Sequence, residues 1–307
     1  TIQAGIDAAA SGGTVWVDDG LYSGAGNRDI TFRGKGIAVR GFHGPSNTVV
    51  DCERAARGFL FNSAETPAAV LSGFTIQNGT TSDNGGGIFC TARPIIENCI
   101  ILSNRTVYGG GGIYIEGGGA TIRKCVIQGN LSEYWGGGVH CQNGSTSDVS
   151  FLVNCLIKAN TSLDTGGGIA SHSGLVAENC TLYGNSGWRG GGISTWPGDL
   201  PQFVNCIVWS NTAGWSGPQF YSVSNNVLFS HCCSGTDTPW PGIGNITNDP
   251  RFVDAAAGDF HLGADSPCID TRERLPAVMT DLDGVPRPQD GNGDGDARWD
   301  MGAYEAR

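Results

Sequence analysis

The sequence predicts an all-β chain, a single-stranded right-handed parallel β-helix, on three observations. A Gly-rich element recurs as Gly85-Gly86-Gly87-Ile88, Gly110-Gly111-Gly112-Ile113, Gly136-Gly137-Gly138-Val139, Gly166-Gly167-Gly168-Ile169 and Gly190-Gly191-Gly192-Ile193. A second element, Cys-x-(Ile/Leu/Val)-x-x-Asn, alternates with it, beginning at Cys99, Cys125, Cys155, Cys180 and Cys206 and ending at Asn104, Asn130, Asn160, Asn185 and Asn211. The apolar residues closing the glycine runs stand 25, 26, 30 and 24 residues apart, and a period near 25 with one supersecondary unit per repeat marks a stacked solenoid.

Each unit holds two or three apolar runs too short for helices, with period-2 alternation such as Ile96, Cys99 and Ile101, so strands are expected. Glycine supplies tight corners at positive φ. The Asn ending each second element is expected at another corner, in the left-handed region, where stacked amides bond along the row. Gly73 to Asn78 reads as an earlier copy lacking the cysteine, and the excess of the 30-residue repeat falls in a polar loop, Asn143 to Ser150. Coils stacked about 4.8 Å apart place equivalent residues in rows.

Composition narrows the function classes. Fifty glycines in 307 residues without a strict triplet period exclude collagen, and 29 acidic against 18 basic residues give a net charge of −11, which disfavours binding to nucleic acid or anionic lipid. The longest apolar runs are four or five residues, so no membrane span or signal peptide is read, and Thr1 is expected to follow a removed leader or an expression boundary. Of the eleven cysteines, Cys99, Cys125, Cys155, Cys180, Cys206 and Cys232 form one row of small interior residues. Bridges are open to the others, one among Cys232, Cys233 and Cys268 and one between Cys52 and Cys90. No C-x₂-C pair indicates zinc.

Functional candidates follow from the strand after each glycine run. If Ile88 and Cys90 point inward, the alternate positions Tyr114, Glu116, His140, His172 and Trp196 point outward. The preceding corners add Tyr108, Tyr134, Trp135, Asp164, Trp188 and Arg189 on the same side. Aromatic faces on an exposed sheet suit sugar rings, which makes Tyr108, Tyr114, Tyr134, Trp135, Trp188 and Trp196 the substrate-binding candidates for a polysaccharide. Glu116 and Asp164 are candidate carboxylates of a hydrolase; His140 or His172 is a candidate base, with Arg189 a neutralising cation, of a lyase. A non-catalytic adhesive face is the alternative. The row Asn98, Lys124, Asn154, Asn179 and Asn205 is expected to be a solvated polar ladder.

Near the end, Asp290, Asn292, Asp294 and Asp296, with Gly295, repeat the early ligand spacing of a calcium loop, although Met301 stands where that loop carries Glu. Structural Ca²⁺ is the cofactor expected there. It would fasten the C-terminal segment over the last coil and imply a calcium-rich compartment. The sequon Asn104-Arg105-Thr106 falls on the Asn row and is explained by architecture.

The Gly-Gly-Gly-Ile and Ile/Leu/Val-x-x-Asn elements resemble the GGA(I/L/V) and FxxN repeats of chlamydial polymorphic outer-membrane proteins, and the chain resembles bacterial secreted β-helix proteins of the pectin-lyase-like superfold. Thr1 to Ala10 and Thr14 to Tyr22 resemble that group's amphipathic capping helix and first coil. Asp249-Pro250-Arg251-Phe252, Ser266 to Asp270 and Asp300 to Glu305 resemble its closing segment. The resemblance implies one domain, with a cap over 1–12, coils over 13–235 and a loop-rich segment over 236–307. It also implies a secreted or cell-surface bacterial protein, expected to be monomeric. The superfold hosts lyases, hydrolases, epimerases and adhesins. The Asn-Thr-Asp, Asp-Asp and Gly-His-Gly set of polygalacturonases is missing, and Asp18-Asp19 and the three lysines Lys35, Lys124 and Lys158 match pectate lyases poorly.

Overall fold

The computed structural model describes residues 1–306 except 118, 143–148, 173, 198–199, 225–226 and 273–278; most of the polar loop expected over 143–150 lies outside the described residues. The central coils run through four strands, for example Ile95–Glu97, Ile100–Leu102, Arg105–Thr106 and Ile113–Glu116. Stacked in parallel, they build a first and a second sheet of nine strands each, a short sheet of six, and a third sheet of eight. Helix Ile2–Ala8, N-capped by the Thr1 hydroxyl, buries Ile2 and Ile6 against the first coil.

Register follows the sequence period. Ile88, Ile113, Val139, Ile169 and Ile193 pair in order across the third sheet, and Ile101, Ile127, Ile157, Leu182 and Val208 across the second. All ten are fully buried, each contributing about 1.5–3 kcal/mol relative to exposure. The cysteine row lies inside, as expected. All eleven cysteines are free thiols, so neither anticipated bridge forms. Each row Sγ instead meets carbonyl oxygens, as Cys180 does at Leu152 and Glu178.

The second row of corners is a continuous amide ladder. Asn104 Nδ2 donates to Asn130 Oδ1 at 3.0 Å, Asn130 to Asn160 at 2.9 Å, Asn160 to Asn185 at 3.0 Å and Asn185 to Asn211 at 2.9 Å. Gln219 Oε1 ends the ladder by accepting from Asn211. The left-handed conformation falls one residue earlier than expected, at Ser103, Gly129, Ala159, Gly184 and Ser210, because the ladder amide must turn inward to reach its neighbour. Asn78 aligns with Ser103 for the same reason, and Gly79 occupies the ladder position, its N–H donating to Asn104 Oδ1.

Two expectations for the chain end are corrected. Residues up to about 246 cover the last coil, with Trp240 packed on Phe229 at 4.0 Å and Ile246 bridged to Cys233. The segment from 249 onward leaves that end and folds back along the flank as a strap, starting with the hairpin Phe252–Asp254 and Asp259–Leu262. It lands on the row read as a solvated ladder. Asn154 donates to the Thr280 carbonyl, Asn179 and Asn205 donate to that of Asp300, and all three are buried. The left-handed corner turns these side chains outward at regular intervals, where the strap's carbonyl oxygens can accept from them.

Candidate functional site

The glycine runs make the bend from the short sheet into the third sheet concave. Gly110 and Gly136 have positive φ, and a Cβ at Gly136 would lie 2.8 Å from His140 Cβ, so only glycine lets the bend fold over the outward face of the next strand. The result is a crease along the solenoid. Tyr114 and His140 point outward but lie buried in it, 3% and 0% exposed, which corrects their expected exposure.

Four rows line the crease. On the third sheet run Phe89, Tyr114, His140, Ala170, Ser194 and Tyr221, followed at the strand ends by Glu116, Gln142, His172 and Trp196. Opposite them, across the bend, Gly109, Trp135, Thr165 and Arg189 are bridged coil to coil. Tyr108, Tyr134, Asp164 and Trp188 form the outer lip, with Tyr108, Tyr134 and Trp188 about half exposed.

Several expected site residues converge. His140 Nε2 and His172 Nδ1 are hydrogen-bonded at 3.0 Å. Trp135 packs against both rings at 5.7 and 5.9 Å, Tyr114 meets His140 edge-on at 5.3 Å, and Trp196 stacks on His172 at 4.0 Å. Burial holds His140 well below the usual imidazole range and His172 down to about 4, so the pair is neutral at pH 7. Tyr108 and Tyr134 stack at 5.9 Å on the lip.

The two carboxylates do not converge. Glu116 lies on the strand two coils before that of His172, where Tyr114 Oη donates to it at 3.4 Å. Asp164 sits on the lip, its carbonyl accepting from Arg189 N–H. Two coils span about 10 Å along the axis alone, at or beyond the carboxyl separation that glycosidases use. Arg189 lies over Trp215 at 4.5 Å and Tyr221 at 5.6 Å. The sequence reading missed those two rings because the last coil lacks the triple glycine. The signal was Gly217, whose positive φ and following Phe220 repeat the bend in register with Ile193.

Buried polar atoms without partners gather in the same crease: His140 Nδ1, Thr165 Oγ1, Arg189 Nε and Ser194 Oγ. A cleft of about 600 Å³ lies on the strap flank between Glu97, Lys124 and Asp283. Two of its carboxylates are engaged, Glu97 by Arg40 and Arg123 and Asp283 by His261.

The expected calcium ligands fall in one exposed turn that closes on itself. Asp290 accepts from the N–H groups of Gly293, Asp294 and Gly295, Asn292 from Asp294, and Asp294 from Asp296, while Asp296 pairs with Arg298 at 2.6 Å. Among the described residues no three His, Cys, Asp or Glu side chains cluster as a metal cage. The side-chain oxygens of Asp290, Asn292 and Asp294 thus accept backbone N–H bonds within the turn.

Parallel sheets, stacked apolar rows and an Asn ladder define a β-solenoid. The right-handed β-helix family model matches residues 23–174 and 110–236, and the chain belongs to that family. A crystal structure of pectate lyase Pel9A is similar in fold, with a TM-score of 0.57 at 14% identity, covering 99% of this chain and 90% of that one. No curated protein matches.

Proposed function

We propose that the crease binds a polysaccharide lying along the solenoid axis. One observation carries this reading: over consecutive coils, ring faces and unpartnered buried polar atoms alternate on one concave strip. Rings contribute flat apolar contact, and the polar atoms, buried in the structure, are donors and acceptors that a glycan hydroxyl meets when side chains on the strip shift to let it in. The similarity to a pectate lyase fold supports the ligand class. Cleavage, if it accompanies binding, centres on the His140–His172 pair, the titratable groups that converge in the crease, although burial makes them weak bases, rather than on Glu116 with Asp164. The setting proposed is extracellular or at the cell surface, following the repeat resemblance.

A polysaccharide panel tests this, read by binding, by new reducing ends and by ultraviolet absorbance of unsaturated products. Binding lost in Trp135→Ala and Trp196→Ala supports the reading. Absorbance that disappears in His172→Gln assigns a lyase, reducing ends without absorbance assign a hydrolase, and retained binding with neither signal assigns a recognition module. No binding across neutral and acidic glycans overturns the proposal in favour of an adhesive or spacer role.

A further inference from the structure

Resting on that reading, we infer that the glycan is a largely neutral polymer bearing isolated carboxylate groups, and that Arg189 forms the subsite for one of them. The crease changes character along its length. Around Trp135 it is lined by rings and a neutral imidazole pair. Two coils on, about 10 Å away, Arg189 occupies the same row.

Its guanidinium lies within cation–π reach of Trp215 and Tyr221, and its buried Nε has no partner among the described residues. Ser194 Oγ, in the same coil, and Thr165 Oγ1, one coil earlier, are buried and likewise unpartnered. A planar guanidinium edge beside two hydroxyl donors is a donor set matched to a carboxylate, which Arg can bind through two parallel N–H groups.

The other cations along the strip are committed, Arg57 to Asp83 and Arg105 to Glu133. Asp164 stands on the lip one coil before Arg189, and the chain carries a net charge of −11. A contiguous polyanion would meet one uncommitted cation and several carboxylates, which like-charge repulsion disfavours. A single acidic branch on a neutral backbone meets one cation where it needs one.

Four probes separate the possibilities: glucomannan, glucuronoxylan, carboxyl-reduced glucuronoxylan and polygalacturonate, followed by calorimetry and tryptophan quenching. Glucuronoxylan is expected to bind about tenfold or more tightly than its reduced form, the size of one charge-assisted contact. Arg189→Gln should erase that difference, as should high salt, while Trp135→Ala weakens both forms alike. Equal binding of the acidic and reduced polymers, or preference for polygalacturonate, overturns this inference and leaves polysaccharide binding standing. Failure of all four to bind overturns the proposed function and the inference with it.

Discussion

The two flanks of the solenoid both carry rows of buried polar side chains, and they are completed differently. On one, Asn154, Asn179 and Asn205 meet the carbonyl oxygens of the strap. The Asn154 and Asn179 Oδ1 atoms remain unpartnered, but each side chain has its amide nitrogen bonded. On the other, Thr165, Ser194 and Arg189 have polar atoms that nothing among the described residues meets. The strap flank also leaves Arg272 Nη1, Arg287 Nε and Glu305 Oε2 without hydrogen-bond partners, so the flanks differ in what covers them: the strap folds over one and does not reach the other. On the proposed reading, the strap is structure and the crease is site.

The comparison breaks most sharply at Arg287. Its guanidinium, fully buried, pairs with Glu305 at 3.3 Å and donates to the carbonyl oxygens of Asp300 and Gly302. Burial keeps Glu305 protonated at neutral pH, so Arg287→Met chiefly strips the buried Asp300 and Gly302 carbonyl oxygens of their donor, at about 1–3 kcal/mol for each acceptor left unpaired. Urea unfolding should show that loss, with amide exchange rising over 299–306. A loss below about 1 kcal/mol would mean that the strap is not integral to the fold.

Acidity separates the flanks by sign. Burial raises Glu305 to about 8 and Asp300 to about 6, so the folded chain holds these protons more tightly than the unfolded one. Their contribution is complete below the ordinary carboxylate range and is lost as pH rises through 6 and then 8. Burial lowers His140 and His172, so the unfolded chain binds those protons more tightly. Their contribution is present above the ordinary imidazole value and is lost as pH falls from about 6.5 toward 4. Melting curves from pH 4 to 9 should show both limbs, the alkaline one flattened in Glu305→Gln and the acidic one in His172→Gln. Limbs that ignore these variants would assign the titration to other groups.

Much of the fold was legible because a solenoid repeats its physical constraints. Gly at the concave bend, Asn in the ladder and Ile inside recur for the same steric reason in each coil. The site was legible as a set of residues but not as a geometry. Period-2 alternation gives the direction of Tyr114 and His140 but not the fold of the bend over them, which depends on the φ of Gly110 and Gly136. The strap's landing place was not legible, because Asn179 and Thr181 meet Asp300 and Ala303 across some 120 residues of sequence with no local pattern to mark it.

Ser194→Ala and Thr165→Val sharpen the contrast with smaller effects. No hydrogen bond inside the chain is lost in either, so stability should shift by less than about 1 kcal/mol, toward stabilisation if anything. Asn179→Ala, on the strap flank, should cost about 1–3 kcal/mol. The order reverses for ligand: glycan affinity falls in the crease variants and is unchanged in Asn179→Ala. If both sets lose stability equally, the crease hydroxyls have partners within the fold and the distinction between flanks fails.

The smallest effect is expected at the Asp290 to Asp296 turn. Its carboxylates are spent on backbone N–H groups and on Arg298, while Asp270, also bonded to the N–H groups of Asn292 and Arg298, ties the turn to the strap. Although the oxygens that accept N–H bonds keep lone pairs of their own, a cation would have to displace Arg298 from Asp296. Millimolar calcium or a chelator should therefore leave the melting temperature within about 1 °C, less than 1 kcal/mol for a chain of this size. A rise with calcium that Asp294→Ala abolishes would show that these oxygens turn outward to hold the ion, and that the strap, like the crease, is completed from outside the chain.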